Sequence, residues 1–359
     1  MIKIRLRAAV WALAAATALA LSGCGSAVSW YAGWHVNDSG NDTDQFKPES
    51  DLYLIESAQR FGLMALLAEA AYRRDLKLDA RDTQGCAYLQ APPGTPPPTY
   101  GLPIGKSGAW VRWVPSAGSG VDVEACRDDE SGLHYETYVH QTAPGQFDEA
   151  VIAFRGTENR AGQTIRDWRS NLAATFGMEP AQYVVARERM LPLINLLADT
   201  LKAQGHPENV YAVGHSLGGG LAQQAGYLSK RVKAVYTFNT SPISNWSQLR
   251  LRKEVGNAWP VIHRVYHNGE ILEKLRFVTN TATSTRYGRN DLGFQLASKS
   301  NFGGHSIQMM ACTFAELILL APSAEEADHH YPISFIRDKL LIREDADQPC
   351  SKAKAEDKV

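Results

Sequence analysis

Hydrophobic positions in the second half of the chain indicate strands that alternate with helices. Short apolar runs, typical of buried strands, lie between longer segments with the period of an amphipathic helix. The predicted strands are 150–154, 210–213, 233–238 and 261–266. The predicted helices are 183–204, 217–229 and 305–320. This alternation predicts parallel strands joined by right-handed crossovers, and therefore an α/β fold whose mostly parallel central sheet is flanked by helices.

The first half of the chain is less regular. An apolar face of helical period predicts a core-facing helix over 57–75, and alternating residues predict strands over 109–114 and 133–140, with Cys126 in the loop between them. Six prolines mark 91–103 as a loop, and the polar segment 271–304 is interpreted as a loop that covers the site. Because no repeat or second periodic block is present, we predict one domain over 51–345 and a C-terminal tail over 346–359.

The first residues have the pattern of an export signal. Lys3, Arg5 and Arg7 precede an apolar run over 8–21, and Leu-Ser-Gly-Cys follows. This ending resembles the bacterial lipobox, which implies cleavage after residue 23 and lipid modification of Cys24; an ordinary signal peptide with a chance cysteine is the alternative. The polar segment 24–50 is then a flexible tether. We expect a lipoprotein of the cell envelope, in the outer membrane, held by its acyl chains.

Four further cysteines would then lie in an oxidising compartment. They are Cys86, Cys126, Cys312 and Cys350. Four cysteines allow three pairings, and we favour Cys86–Cys126 with Cys312–Cys350 because each pair closes a loop within one region of the chain. The spacing shows no CxxC and no paired histidines near these cysteines, so neither a metal site nor a cofactor is predicted.

Composition and charge exclude several classes of protein. The 359 residues include 37 Lys and Arg against 38 Asp and Glu, which gives a formal net charge of −1 and no basic stripe of the kind that binds nucleic acid. No apolar run reaches the roughly 18 residues that span a bilayer, and 44% of residues are hydrophobic, which is too many for a disordered chain. A globular protein with its chemistry in a defined site remains.

The candidate chemistry is centred on Ser216. Gly214-His215-Ser216-Leu217-Gly218 is a GxSxG motif, with an apolar strand before it and a helix after it. This is the setting of a nucleophile elbow, where small residues allow the tight turn that lifts a serine hydroxyl out of the sheet. A glycine-rich turn without chemistry is the alternative. Upstream, Phe154-Arg155-Gly156-Thr157 ends a predicted strand, so the amides of Leu217 and Thr157 are the candidate oxyanion hole.

Together, FRGT at 154–157, Asp167-Trp168 and GHSLGG at 214–219 resemble the motifs of class 3 (fungal-type) lipases. The likeness extends over about 57–320 and includes Ala68-Glu69-Ala70-Ala71-Tyr72 in the first helix. It departs at Phe238-Asn239-Thr240-Ser241-Pro242, where the family has an FGxPRxG-like turn. The resemblance implies an α/β-hydrolase fold and a serine carboxylic ester hydrolase.

In α/β-hydrolases the acid and the base follow the serine in that order. Glu270, just after the strand 261–266, is the predicted acid, with Asp291 as its rival. His305, on a glycine loop before the last helix, is the predicted base, because the family's histidine falls there. His263 and His267 are expected to be sheet residues and His215 a packing neighbour of the serine. The remaining histidines are interpreted as surface residues: His35, His134, His140, His206, His329 and His330.

The substrate class follows from the segment 158–166, where the resemblance implies a lid. Its one large apolar residue, Ile165, cannot form an amphipathic lid for interfacial lipolysis. The sequence therefore predicts an esterase or a phospholipase acting on carboxylic esters of acyl lipids, with no nucleic-acid partner. Two alternatives stay open: a thioesterase or peptidase that uses the same triad, and an inactive hydrolase-fold lipoprotein that serves as a binding module.

Overall fold

The structure is a computed structural model. It describes residues 51–72, 86, 109–115, 123–128, 131–156, 180–241, 243, 260–267, 270, 272, 289–294, 305–320 and 328–330. The signal peptide, the tether, Cys24, Cys350, the proline-rich loop 91–103, the segment 158–166 and the C-terminal tail lie outside the described residues. No helix in the described part is long and apolar enough to cross a membrane.

Eight strands and four α-helices make up the described fold. The strands are β1 (Ala109–Arg112), β2 (Cys126–Asp128), β3 (His134–Ala143), β4 (Gln146–Phe154), β5 (Val210–His215), β6 (Val232–Phe238), β7 (Val261–His267) and β8 (Arg289–Phe294). The helices are α1 (Asp51–Ala70), α2 (Ala181–Ala203), α3 (Leu217–Leu228) and α4 (Ile307–Leu320), and a 3₁₀ turn follows at Asp328–His330.

All eight strands form one mixed sheet in the order β1-β3-β4-β5-β6-β7-β8, with β2 also paired to β3. From β4 to β8 every neighbouring pair is parallel, whereas β1, β2 and β4 pair with β3 in antiparallel fashion. The α/β prediction is confirmed. The predicted parallel arrangement is correct for β4–β8 and does not extend to the first strands.

Apolar side chains on the two faces of the sheet pack against different helices. On β4, Val151 and Ala153 contribute to a core with α1 and α4, whereas Ala150, Ile152 and Phe154 contribute to a second core with α2 and α3. This split follows from the two-residue period of a strand, which sends successive side chains to opposite faces. Residues 150–154 of β4 are buried on both faces, which explains why this part of the strand is a continuous apolar run.

Two segments that we interpreted as loops form strands. Cys126 begins β2, where it is opposite Glu136 of β3. Residues 289–294, within the predicted loop 271–304, form β8, which extends the parallel sheet beyond β7. The Asp, Asn and Gly residues of β8 are poor strand formers, so pairing with β7 outweighs local propensity there. α1 also begins six residues before the predicted helix and ends at Ala70.

The disulfide Cys86–Cys126 is confirmed, with its two Cα atoms 5.4 Å apart. It joins Cys86 to the first residue of β2. Cys312, on α4, is disulfide-bonded as well, and its partner lies outside the described residues. The predicted pairing of Cys312 with Cys350 stays a prediction.

Candidate active site

Ser216 lies in a sharp turn between β5 and α3. Its backbone has φ 55° and ψ −125°, in the strained region that a nucleophile elbow imposes on its serine. Gly214 and Gly218 make the turn possible: a Cβ on Gly214 would lie 2.2 Å from the carbonyl oxygen of Gly218, and one on Gly218 would lie 2.3 Å from that of Phe154. No larger residue fits at either position, so the glycines are needed for close packing.

Hydrogen bonds from the end of β6 hold the strained turn. The Ser216 amide donates to the carbonyl oxygen of Phe238 (3.0 Å), and the Ser216 carbonyl oxygen accepts from the amide of Ser241 (2.9 Å). The altered segment that follows β6 therefore supports the elbow directly. A backbone in a sparsely populated region persists only where its surroundings fix it, as they do here.

Three side chains from separate segments meet at the carboxyl end of the parallel strands. Ser216 follows β5, Glu270 follows β7, and His305 lies just before α4. Nε2 of His305 is 3.1 Å from Oγ of Ser216, and Nδ1 of His305 is 2.6 Å from Oε2 of Glu270. Because a carboxylate only accepts hydrogen bonds, Nδ1 is the donor to Glu270, and Nε2 is the ring nitrogen that faces the serine hydroxyl.

Glu270 is fixed before any substrate arrives. Its side chain is fully buried, and Oε2 also accepts a hydrogen bond from the amide of Leu272 (2.9 Å). The rival acid, Asp291, lies within β8, in register with Arg264 of β7, and not in the turn that the sequence suggested. Glu270 is therefore the carboxylate that the structure brings to His305.

A second histidine links the serine turn to His305. Burial, and then the neighbouring His305, hold the pKa of His215 well below its usual range, so its ring is neutral. Nε2 of His215 is 2.6 Å from the carbonyl oxygen of His305, which can only accept, so the proton is on Nε2. Nδ1 then accepts from the hydroxyl of Tyr72 at 2.8 Å.

The same tyrosine reaches the segment predicted to form the oxyanion hole. The oxygen of Tyr72 accepts a hydrogen bond from the amide of Gly156 (2.8 Å), the residue before Thr157. Tyr72 thus connects the end of β4, the serine turn and the His305 segment. Sequence reasoning missed this role, although Tyr72 is the last residue of the first-helix motif and His215 belongs to the elbow.

The structure describes one of the two candidate oxyanion donors. Thr157 lies outside the described residues. Leu217 is the first residue of α3, and the first amides of a helix have no acceptor within the helix. Its amide is therefore placed to donate beside the serine, where the N-terminus of α3 also favours negative charge.

A buried charge network lies behind the end of β4. Arg112 donates two hydrogen bonds to Glu136, at 2.9 and 3.1 Å. Burial acts to raise the pKa of Glu136, but Arg112 and His134 outweigh it and lower that pKa to about 2. His134 also faces Asp128 (3.5 Å), which accepts from Arg155 at 3.3 Å. A fixed carboxylate network thus anchors Arg155, next to Gly156.

Several histidine predictions change with the structure. His263 and His267 are buried in β7, as expected for sheet residues, and His215 is the expected neighbour of the serine. His134 and His140 are buried on β3 and His329 is half-buried, each with a carboxylate partner, so their interpretation as surface residues is wrong. His330 is exposed but lies beside Asp148, and His35 lies outside the described residues.

Comparisons with known proteins bear on the class of protein. Residues 64–286 match a phospholipase-like family, the Tle-like phospholipase domain. The match includes Ser216 and Glu270 and ends before His305. It supports the lipase-like, ester-hydrolysing class that the motifs predict, and the family it indicates is not the class 3 lipases. No curated protein matches the chain.

Among solved structures, the chain is similar to the extracellular lipase LipA from Serratia marcescens, with 18% identity and a TM-score of 0.32. The similarity covers 72% of this chain and 46% of that lipase, so the chain spans less than half the length of LipA. The family match extends over more than half of the chain. The chain therefore belongs to the family of Tle-like phospholipase domains, a family of lipolytic hydrolases.

Proposed function

We propose that this chain is a serine hydrolase that cleaves the carboxylic ester bonds of phospholipids, as a phospholipase of the A type. The observation that carries the proposal is the hydrogen-bonded series Ser216–His305–Glu270 at the carboxyl end of the sheet. The phospholipase-like family supports the substrate class. The order of serine, acid and base along the chain, together with the strand–turn–helix at Ser216, supports an α/β-hydrolase fold.

In the first half of the reaction, Nε2 of His305 takes the proton of the Ser216 hydroxyl as Oγ attacks the acyl carbonyl carbon. The C=O electrons move to oxygen, and the amides of Leu217 and Thr157 stabilise the oxyanion. Glu270, hydrogen-bonded to Nδ1, stabilises the imidazolium that forms. The tetrahedral intermediate then expels the glycerol oxygen, which receives the proton from Nε2. The products of this half-reaction are a lysophospholipid and an acyl-enzyme.

In the second half, water repeats the attack. Nε2 of His305 accepts a proton from water, the hydroxyl adds to the acyl carbonyl carbon, and the collapsing intermediate releases Oγ of Ser216. The serine regains its proton from Nε2, and a fatty acid leaves. No cofactor takes part in either half, because the serine, the base and the two amides supply the nucleophile, the proton transfers and the charge stabilisation.

The export pattern of the sequence supports an activity in the cell envelope. We propose that Cys24 carries the lipid and that the segment 24–50 connects it to the folded domain, in the outer membrane. A Cys24→Ala variant would then appear in the soluble fraction, whereas the unchanged chain would sediment with membranes. Equal sedimentation of the two would contradict the anchor and leave the hydrolase proposal untouched.

The test of the hydrolase is covalent labelling of the serine. The full chain in detergent is treated with a fluorophosphonate probe, which reacts with activated serines. We expect labelling of the wild type, and its loss in folded Ser216→Ala and His305→Ala variants. Ser229→Ala and His206→Ala serve as matched controls, because both residues lie away from the site, and both variants should label like the wild type.

The substrate is then tested with vesicles of phosphatidylethanolamine and phosphatidylglycerol, with the products identified by mass spectrometry. We expect free fatty acid and lysophospholipid from the wild type, and neither from Ser216→Ala. Release of phosphatidic acid or of a phosphorylated headgroup would mean that a phosphodiester bond is cleaved, and would overturn the proposal. An unlabelled, inactive wild type in both detergent and vesicles would favour a binding module instead.

A further inference from the structure

A second group of histidine and carboxylate side chains lies at the other end of the β3–β4 pair. Nδ1 of His140, on β3, is 2.6 Å from Oδ1 of Asp148, on β4. Nε2 of His330, in the 3₁₀ turn, is 3.8 Å from Oδ2 of the same carboxylate. Asp148 is six residues before the end of β4, so at about 3.3 Å per residue the group lies about 20 Å from the Ser216 end of the sheet.

The ligand atoms of His140, Asp148 and His330 all lie within 4.8 Å of one another. Two imidazole nitrogens and one carboxylate oxygen form a donor set that zinc uses, with a fourth position left for water. Imidazole ligands favour zinc and similar transition metals over calcium or magnesium, which prefer oxygen. We propose that these three residues bind a zinc-class divalent metal ion, at a site separate from the catalytic one.

The geometry requires small adjustments to take a metal. Tetrahedral ligands at about 2.0 Å from zinc lie about 3.3 Å apart, so the ion would replace the proton between His140 and Asp148 and widen their 2.6 Å contact. The parallel rings of His140 and His330, 3.9 Å apart, must tilt so that both nitrogens face one ion. His140 is nearly buried, whereas Asp148 and His330 are 24% and 50% exposed, so two of the three ligands have room to move.

The backbone of the 3₁₀ turn is held in an unusual conformation that places His330 at the carboxylate. His329 and His330 both have positive φ, 59° and 54°, a region that residues other than glycine seldom adopt, and seldom in succession. Neighbouring contacts hold it: His329 donates to Glu149 (2.9 Å) and accepts from the Tyr236 hydroxyl (3.1 Å), and its carbonyl oxygen accepts from the Trp110 indole (2.8 Å). Strained backbone that is fixed in this way is frequent at ligand sites.

A metal ion bound here would cross-link two separate parts of the chain. His330 comes after α4, and the two other ligands belong to the sheet, so one ion would fasten the segment 328–330 to β3 and β4. Sequence spacing could not indicate this site, because its two histidines lie far apart along the chain. The proposal is independent of the proposed hydrolase activity, because it uses none of the residues around Ser216.

The test is metal retention by the full-length protein. The chain is stripped with EDTA, incubated with Zn²⁺, separated from free metal by gel filtration and analysed for zinc by mass spectrometry. We expect one zinc per chain in the wild type and a melting temperature that rises with zinc. His330→Ala and Asp148→Asn should each lose the bound zinc and the thermal shift. Both positions are partly exposed, and circular dichroism will verify that the variants fold.

Two variants serve as controls. His206→Ala removes a histidine elsewhere, and His305→Ala removes the histidine next to Ser216; both should keep one zinc per chain. No retained zinc in the wild type would overturn the proposal. So would zinc that persists in either His330→Ala or Asp148→Asn, or zinc that is lost in His305→Ala, since the ion would then occupy a different site. Retention of Ca²⁺ and not Zn²⁺ would also overturn it.

Discussion

The two ends of the sheet carry nearly the same pair of side chains. At the carboxyl end, Nδ1 of His305 lies 2.6 Å from the carboxylate of Glu270; at the opposite end, Nδ1 of His140 lies 2.6 Å from that of Asp148. In both pairs the histidine donates to the carboxylate. The pair by itself therefore does not identify a catalytic site.

The difference lies in burial and in the third group. Glu270 is fully buried and its histidine faces a serine held in a strained turn, whereas Asp148 is 24% exposed and lies beside a second histidine. A buried carboxylate in a fixed position can stabilise an imidazolium during proton transfer, because little solvent screens the charge. A partly exposed carboxylate between two imidazoles is suited to bind a cation.

The largest expected effect comes from the acid at the serine end. In the proposed mechanism, Glu270→Gln keeps the shape of the side chain but removes the negative charge that would stabilise a His305 imidazolium and fix the tautomer of that ring. By analogy with other serine triads, we expect kcat to fall about 10⁴-fold while KM changes little. The measurement is steady-state hydrolysis of a soluble ester.

The matched control for this change is Glu208→Gln, which alters a surface carboxylate paired with Arg231. It should leave kcat unchanged. A Glu270→Gln variant that retains more than about a tenth of the wild-type kcat would contradict the role of Glu270 and would direct attention to Asp291.

The next effect concerns histidines that the interior keeps neutral. Burial lowers the pKa of His215 well below its usual range and that of His263 to about 3. Below pH 6.5 the unfolded chain binds a proton at each of these two histidines and the folded chain does not. The stability they contribute is therefore present above pH 6.5 and is lost as the pH falls, by about 1.4 kcal/mol per pH unit for each histidine.

Chemical denaturation at several pH values between 6.5 and 5 measures the slope of the free energy of unfolding against pH. The range avoids Glu136, whose depressed pKa affects stability only below about pH 4.5. His134 has a raised pKa, so its contribution is already complete below pH 6.5 and does not change the slope. In His263→Phe the change of the free energy of unfolding with pH should be smaller by the contribution of one proton, about 1.4 kcal/mol per pH unit. This holds whatever the absolute stability of the variant. An unchanged slope would show that His263 is not kept neutral.

A smaller effect is expected where Tyr72 joins the elements of the serine end. Tyr72→Phe removes the acceptor for the Gly156 amide and the donor to Nδ1 of His215. An unsatisfied buried group costs about 1–3 kcal/mol, so kcat/KM should fall about 10- to 100-fold. Because Tyr72 positions other groups, we expect most of the loss in kcat and a matching decrease in the fluorophosphonate labelling rate.

Tyr236→Phe, on β6, is the control for this change. It removes the hydroxyl that contacts Nε2 of His329, and it should leave kcat/KM and the labelling rate unchanged. Equal losses in the two variants would indicate a general loss of packing, and would contradict a positioning role for Tyr72.

Sequence reasoning succeeded where the pattern is local. The strand–turn–helix around Ser216 is contiguous, so its glycines and apolar runs predicted the tight turn that the structure contains. Chain order then indicated Glu270 and His305, which the structure brings next to Ser216, and their catalytic roles stay predictions. It failed where distant segments meet. β8 has few apolar residues and exists through its pairing with β7, and the Tyr72–His215–Gly156 connection joins three separate parts of the chain. The burial of His134 and His140 likewise depends on tertiary packing that no local period reveals.

The smallest expected effect concerns the hydrogen bond between His140 and Asp148. With EDTA present, Asp148→Asn keeps a side-chain oxygen for Nδ1 of His140 but weakens the hydrogen bond, because the acceptor loses its charge. The bond is partly shielded from solvent, since His140 is 6% and Asp148 24% exposed. We expect a loss of about 1 kcal/mol in the free energy of unfolding, measured by urea denaturation at pH 7. Asp199→Asn, which alters an exposed pair with Arg231, should show no measurable change. If Asp148→Asn is as stable as Asp199→Asn without metal, the His140–Asp148 contact contributes nothing to the stability of the fold. Metal binding would then be the role that remains for this pair of side chains.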